Sequence, residues 1–530
     1  MNDGARVAVG AGIILMGMGA APPEPSAPAV APATMARVGV VDERYQSYNV
    51  EMLEVTGGKF WKPYGPELDA ILNQPKAAAG SGRDTPAGMN PGLYQYRPPI
   101  DLTSPRLRTL AAALGPAYVR VSGTWANTTY FASTDDAPAT PPDGFMGVLS
   151  HRQWKGVIDF ARAVDAELVT SFATGAGTRD AAGVWTPDQA RQLLAYTRSN
   201  GGSIAAAEFM NEPNIAAIGG APAGYDAAAY GRDFQLFRRF AKETAPAMLI
   251  LGPGSVAERE SSGVGHGIPG MLATRDLLAA SGPGIEAFSY HHYGTVSQRC
   301  AGIGMAQTTP EAALSEEWLG RTDHTLSFYR RLRDEFAPGT PFWLTEVADA
   351  ACGGNPWGGT FLDTFRYLDQ LGRLARQDVK VVAHNTLVAS DYGLLDDKDL
   401  TPKPNYWGAL LWRKLMGTTV LESGVPIEAG LHVYAHCLRS RPGGVALLAI
   451  NNDKASARTL AVPVAGRRYT LSSPNLEDRH VQLNGAPLAL GDHDALPALV
   501  GVSTAAGNIT LAPATITFLA LPGAGNQACR

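Results

Sequence analysis

The strongest constraint on the fold is an alternation. Between residues 46 and 416, short apolar runs of strand length take turns with longer stretches of helical pattern, and the cycle repeats eight times. The strand-like runs fall at residues 46–55, 117–122, 167–173, 204–212, 248–251, 285–290, 342–346 and 379–386. Helical periodicity fills most of the intervals: 105–114, 152–164, 187–199, 226–244, 271–280, within 311–335, 361–376 and 406–416. Strands that alternate with helices in this way predict an α/β fold, a (β/α)8 TIM barrel, whose active sites lie at the C-terminal ends of the strands.

Beyond Gly417 the texture changes to short alternating runs at 444–450, 459–464 and 509–521, separated by Gly, Pro and Asn. This predicts an accessory C-terminal β-sandwich domain over 417–530, with the barrel over 34–416 and its first residues free to join the β-domain. A chain of 530 residues, 45% hydrophobic, is long enough to bury both cores. No internal repeat is evident.

Residues 1–33 carry Arg6, an apolar run over 7–21 and a Pro/Ala stretch. The run is too short for a membrane span and fits a signal-peptide core, with Ala31-Pro32-Ala33 as a small-x-small cleavage site. The expectation is therefore an exported protein, periplasmic or secreted. A net charge of −5 without a dense Lys/Arg block argues against nucleic acid and against a surface made for a highly sulfated polymer. None of the four cysteines stands in a C-x-x-C spacing, which argues against a zinc or redox motif, while export permits disulfides. Cys437 and Cys529 share the C-terminal region, and Cys300 and Cys352 follow neighbouring barrel strands, but spacing leaves the pairing open.

Two strand-like runs end in a glutamate. The run I-A-A-A-E-F-M-N-E-P-N brings Glu212 to the end of the fourth strand, where Pro213 is expected to hold it in extended backbone. The run F-W-L-T-E brings Glu346 to the end of the seventh, ahead of a loop with Gly353 and Gly354. Cleavage of a glycosidic bond needs a protonated carboxyl on the leaving oxygen and, in retaining enzymes, an ionised one as nucleophile. Two carboxylates on one rim of a barrel meet that need.

Five ordered stretches then carry a resemblance: S-P-R-L-R-T-L-A-A-A-L-G-P-A-Y-V-R-V-S-G-T (104–124), F-M-N-E-P-N (209–214), S-Y-H-H-Y (289–293), W-L-T-E with its Gly pair, and N-Y-W-G-A-L-L-W-R-K-L-M-G-T (405–418). Over about residues 41–424 the chain resembles glycoside hydrolase family 79, the heparanase and β-glucuronidase family of clan A. The resemblance implies Glu212 as acid/base and Glu346 as nucleophile. It implies Asn211 on the sugar 2-hydroxyl and Tyr293 on the nucleophile, with Gly353, Gly354 and Tyr392 receiving the uronic acid carboxylate. Backbone amides of a Gly-Gly turn and a phenol suit an anion without a desolvated cation. The segment V-A-D-A-A-C before the Gly pair is one residue longer than in heparanase.

The implied function is a retaining β-glucuronidase acting on a β-glucuronide oligosaccharide or glycoconjugate, without metal or organic cofactor. Exo action is the expectation, because the Gly/Pro-rich segments 63–99, 255–269 and 300–309 are placed to roof the pocket and lack basic clusters. The alternatives are an endo-β-glucuronidase on acidic polysaccharide, a clan A hydrolase of a neutral glycoside, and a non-catalytic carbohydrate-binding protein. Adjacent His291 and His292 point to opposite faces of a strand, so metal binding by the pair is not expected. Trp125, Trp185, Trp318 and Trp357 are candidate sugar platforms or core packing. Asp349 and Asp391 are candidate tuning groups or solvated loop acids. Asn127 and Asn508 fit the glycosylation pattern.

Overall fold

The computed structural model describes residues 1, 27–74, 85–86, 89–256, 258, 268, 270–303 and 307–530. Eight parallel strands close in chain order into a barrel. They are β1 (Gln46–Glu51), β2 (Ala117–Ser122), β3 (Ala166–Ser171), β4 (Ile204–Glu208), β5 (Leu249–Ser255), β6 (Ala287–Val296), β7 (Phe342–Ala351) and β8 (Val379–His384). The helices that follow them include α1 (Pro105–Ala113), α2 (His151–Ala163), α3 (Asp188–Ser199), α4 (Ala227–Thr244), α5 (Thr274–Ser281), α6 (Arg321–Phe336), α7 (Phe361–Arg376) and α8 (Pro404–Leu415). Local chemistry sets several starts. Ser104 caps α1 ahead of Pro105, Ser150 and Gln153 form a reciprocal capping box on α2, and Asp226 caps α4.

Five strand ends lie four or more residues from the sequence reading: β5 runs on to Ser255, β6 runs on to Val296 and so takes in His291 and Tyr293, and β1, β4 and β7 also differ. β1 stops at Glu51 because Glu54 accepts the Glu51 backbone N–H at 2.8 Å and starts a short helix, Met52–Thr56. Its residues Met52, Leu53 and Val55 are all buried, which makes the sequence look like one long strand. β4 ends at Glu208, four residues before Glu212. β7 continues past Glu346 to Ala351, paired with β6 as far as Val296. The longer V-A-D-A-A-C segment is thus part of the strand that carries Cys352 to Cys300.

The segment 63–99 is not structureless. It holds a helix, Pro66–Leu72, and a strand, Tyr94–Arg97, that pairs antiparallel with Gly58–Trp61.

The C-terminal region is antiparallel β. Its main sheet runs Arg37–Val40, Met416–Leu421, His432–Leu438, Val445–Asn451, Thr515–Leu521, Gly466–Ser472, Gln482–Leu483 and Ala486–Pro487, with Val502–Thr504 beside Gly466–Ser472. Alternation splits its faces. Tyr434, Leu448 and Phe518 join the core of the barrel helices, and Val433, Leu447 and Leu519 face a two-stranded ribbon of Arg458–Val462 and Gly507–Leu511. Tyr434 also donates to Asp369 of α7 at 2.5 Å, which pins the sheet to the barrel. Cys437 and Cys529 are bonded here.

The expected cleavage site at residues 31–33 lies in packed chain. Val30 is 3% exposed and its N–H donates to Ala461, while Asn526 donates to the Pro32 and Met35 carbonyls. A cut there would remove the Pro28 and Val30 pairing to Ala461; Pro32 is buried, while Ala31 and Ala33 are exposed. The rest of the leader, residues 2–26, lies outside the described residues. Among the described residues, no helix is long and apolar enough to cross a membrane.

Candidate active site

The chemistry is assembled on the C-terminal rim around one buried arginine. Arg120 sits in β2, 1% exposed. A guanidinium in a barrel interior must be paired on all sides. It donates to Glu208 at 2.8 and 3.2 Å, to Glu346 Oε2 at 2.8 Å and to Asn211 Oδ1 at 2.8 Å. Thr345 completes Glu208 with a 2.7 Å hydrogen bond. Burial and two negative neighbours are thereby balanced, and the pKa of Glu208 falls below its ordinary value although burial alone would raise it.

Glu346 is held from both sides. Tyr293 donates to Oε1 at 2.6 Å and Arg120 to Oε2. Burial works to raise its pKa, but His291, Arg120 and Tyr293 together outweigh it, so the carboxyl is held below the usual range. Glu212 is pushed the other way. Burial dominates and the charge of Glu346 adds to it, against a 3.1 Å contact with His291 Nδ1. His291 pairs in register with Glu346 across β6 and β7, and its Nδ1 lies 3.8 Å from Glu346 Oε2. One oxygen from each glutamate and a ring nitrogen of His291 lie within 4.8 Å of one another.

Glu212 does not project from extended backbone. It has φ 49° and ψ 59°, the left-handed region. Pro213 excludes the right-handed helical well for the residue before it, as the sequence argument has it, but leaves the left-handed one open. The turn is fixed by its neighbours. Asn127 exchanges two 3.0 Å hydrogen bonds with the Asn211 backbone, and Asn214 bonds both backbone groups of Val256 at 2.6 and 3.0 Å. Asn127 is therefore a fully buried structural residue and not a glycan acceptor, whereas Asn508 is exposed.

Asn385, just past β8, is a second hub. Its amide nitrogen lies 2.9 Å from the Tyr293 hydroxyl, 3.2 Å from Tyr392 and 3.2 Å from Glu51 Oε1. Glu51 Oε2 has no protein partner. Burial, then the charge of Glu346, raises the Glu51 pKa well above the ordinary value. Gly123, at φ 94°, leaves the space this carboxyl fills, since a Cβ there would come within 1.7 Å of Oε2.

These groups line a cavity of about 130 Å³ that contains Glu51, Glu212, Tyr293, Glu346, Asn385 and Tyr392. Asn211 lies beneath it, through Arg120. Gly353 and Gly354 are buried behind its wall at φ 81° and 86°. A Cβ on Gly353 would strike Trp61, and one on Gly354 would crowd Tyr392. Arg299 clamps this turn by donating to the Cys352 and Gly354 carbonyls at 3.2 and 3.0 Å and to Asp391 at 2.6 Å. Asp349 lies under Gly354, and burial raises its pKa to about 7.

Of the four tryptophans, Trp125 lines the cavity, Trp185 packs on Phe209, and Trp318 and Trp357 pack on each other. Cys300 and Cys352 form a disulfide in the cavity wall. His292 turns away from His291 to Thr325. Glu212, His291 and Glu346 have the spacing of a metal triad, but Arg120 lies 2.8 Å from Glu346 and 3.2 Å from His291, a fixed cation where a divalent ion would need room.

A closed (β/α)8 barrel with two carboxyls facing one cavity on its C-terminal rim is the arrangement that glycoside hydrolysis calls for. Residues 100–372 of the 530 match the family model described as Glycosyl hydrolase family 79, N-terminal domain, and the chain belongs to that family. It is similar to heparanase from Mus musculus, 28% identical over 491 residues, covering 81% of this chain and 88% of that one. It is also similar to baicalin-beta-D-glucuronidase from Scutellaria baicalensis, 33% identical over 197 residues, 35% of this chain and 37% of the relative. Among solved structures, a 4-O-alpha-L-rhamnosyl-beta-D-glucuronidase from Fusarium oxysporum shares the fold with a TM-score of 0.62 at 12% identity, over 93% of this chain and all of the other.

Proposed function

We propose that the protein is a retaining, exo-acting β-glucuronidase. The observation that carries the retaining mechanism is the approach of Glu212 and Glu346 oxygens to within 4.8 Å with pKa values pushed apart. Retaining glycosidases keep their carboxyls about 5–5.5 Å apart, and inverting ones keep them farther to admit a water. Glu346, ionised by His291, Arg120 and Tyr293, attacks the anomeric carbon while protonated Glu212 delivers its proton to the leaving oxygen. Esterification removes the Glu346 charge that raises the Glu212 pKa. Glu212 then takes a proton from water, which attacks the anomeric carbon and releases the sugar with Glu346 restored.

Family membership and the names of the heparanase and glucuronidase relatives support glucuronic acid as the sugar. In this reading Tyr392, which lines the cavity, takes the uronate with the Gly353-Gly354 turn packed behind it, and Asn211, held by Arg120, lies beneath the 2-hydroxyl. No metal or organic cofactor enters these steps. Exo action is supported by Pro86, Met89, Ile268 and Cys300, which belong to the segments 63–99, 255–269 and 300–309 and line the cavity.

The test is hydrolysis of an aryl β-glucuronide by wild type, Glu212→Ala and Glu346→Ala, with and without azide. Undiminished azide-free turnover in either variant removes that residue from its role. A mechanism-based glucuronide inactivator should label Glu346 stoichiometrically. On a long polymer, internal fragments appearing before free glucuronic acid would refute exo action.

A further inference from the structure

We infer that the leaving-group side of this pocket is built for an apolar, ring-bearing aglycone and not for a sugar or a sulfated saccharide. This inference rests on the glycosidase reading above. The leaving group must lie on the side of Glu212, which protonates it. The same turn carries Ile215 and Ile218 into the cavity wall, and Asn214 ties it to Val256, which lines the wall next to them. Val296, Ile268 and the Cys300–Cys352 disulfide extend this surface toward the mouth. A separately packed aromatic group faces the cavity from the loops after β1 and β2: Trp61 stacked on Tyr94 at 4.6 Å, and Trp125 against Phe60 at 5.0 Å.

Charge makes the same point. Among the described residues that line the cavity, the charged side chains are Glu51, Glu212 and Glu346, and none is Lys or Arg. A sulfated aglycone gains its affinity from Lys and Arg forks, which the described lining does not offer. A sugar ring would have to desolvate its hydroxyls against isoleucine and valine, where few partners replace water. An apolar ring system loses nothing in that exchange and gains with all the apolar surface it buries. The Trp125 indole N–H and the Tyr94 hydroxyl beside it are neutral and buried, so they add no charge to this surface.

The experiment holds leaving-group acidity low throughout, so that binding and not chemistry is compared. The wild-type protein is assayed with methyl β-glucuronide, 2-naphthylmethyl β-glucuronide, and a glucuronosyl-N-acetylglucosamine disaccharide with and without N- and 6-O-sulfates. The matching methyl and 2-naphthylmethyl β-glucosides are run beside them. We expect kcat/KM for the naphthylmethyl glucuronide to exceed that of the methyl and disaccharide substrates by about tenfold or more, the scale of a hydrophobic subsite, with the sulfated disaccharide slowest. Ile218→Asn, at a half-buried position, should shrink the naphthylmethyl-to-methyl ratio while its thermal melt stays cooperative. A sulfated or plain disaccharide equal to or better than the naphthylmethyl substrate overturns the inference, as does a ratio near one. If the glucosides turn over and the glucuronides do not, the glucuronide reading falls, and the ratio within the glucoside pair still decides the aglycone.

Discussion

The floor and the mouth of the pocket are built from different parts of the chain and by different physics. The floor stands on barrel strands: Arg120, Glu208, His291 and Glu346 are fully buried or nearly so and bonded to one another. The mouth stands on loops beyond the strands: Ile215 and Ile218 on the turn after Glu212, Met89 and Ile268 on the segments 63–99 and 255–269, all half-buried and apolar. Burying charge is tolerable only where every charge has fixed partners, and a closed barrel supplies that rigidity. Apolar contacts need no such precision. Chemistry is therefore fixed by the floor, while the mouth sets what is cleaved. Changes to the floor should cost rate across all substrates, and changes to the mouth should alter the choice among them.

The sharpest break is removal of the two carboxyls. Glu346→Ala should leave below about 10⁻⁴ of wild-type kcat, because the covalent route is lost. Glu212→Ala should cost about 10²–10⁴, the range of general acid–base catalysis, and least with a good leaving group. Both losses should be alike for naphthylmethyl and methyl glucuronides, since neither residue belongs to the mouth's selection.

Arg120→Met comes next. It leaves Glu208 and Glu346 buried without their cation, and breaking such a pair destabilises by about 3–5 kcal/mol. Urea unfolding should register that loss. The acid limb of the rate profile should also move to higher pH, since Arg120 is one of the groups that lowers the Glu346 pKa.

The sequence exposed these layers unequally. The eight-fold alternation, the rim position of both glutamates and the family motifs are periodic or local features, and they survive translation into coordinates with shifts of a few residues at the ends. The pairing of Arg120 with Glu208 joins strands 88 residues apart, and no local pattern announces it. A charged residue inside the apolar run A-Y-V-R-V-S was the available signal, because a buried arginine requires buried acids. Glu51 was hidden for a different reason: fully buried residues on both sides of the strand end erase the period that marks where a strand stops. The left-handed turn at Glu212 is set by Asn127 and Asn214 across the barrel, contacts that a single run cannot contain.

His291→Gln tests how finely the floor is tuned. Activity needs Glu346 ionised and Glu212 protonated. The lowered pKa of Glu346 keeps the rate up as pH falls, until pH passes through that pKa; the raised pKa of Glu212 keeps the rate up as pH rises, until that value is passed. In the wild type His291 lowers both pKa values. Loss of its charge should therefore shift both limbs of the bell to higher pH, with a smaller loss of peak rate than in Glu212→Ala. A profile that narrows or stays in place would show that His291 serves packing alone.

The smallest effect on rate is expected at the mouth. The Cys300–Cys352 bridge closes a 52-residue separation, and by chain entropy alone it contributes up to about 4 kcal/mol of stability. Its two ends, however, are also held without it. Cys352 follows the last paired residues of β7, Arg299 and Ser297 donate to the Cys352 carbonyl at 3.2 and 2.8 Å, and the Cys300 N–H donates to Ser297. Cys300→Ser with Cys352→Ser should therefore lower the melting point while kcat for methyl β-glucuronide stays within about threefold, a difference below about 1 kcal/mol. KM for the naphthylmethyl substrate should rise more than KM for the methyl one, because the bridge belongs to the surface that meets the aglycone. A collapse of kcat for both substrates would mean that the bridge positions the floor, and the division between the two regions would not hold.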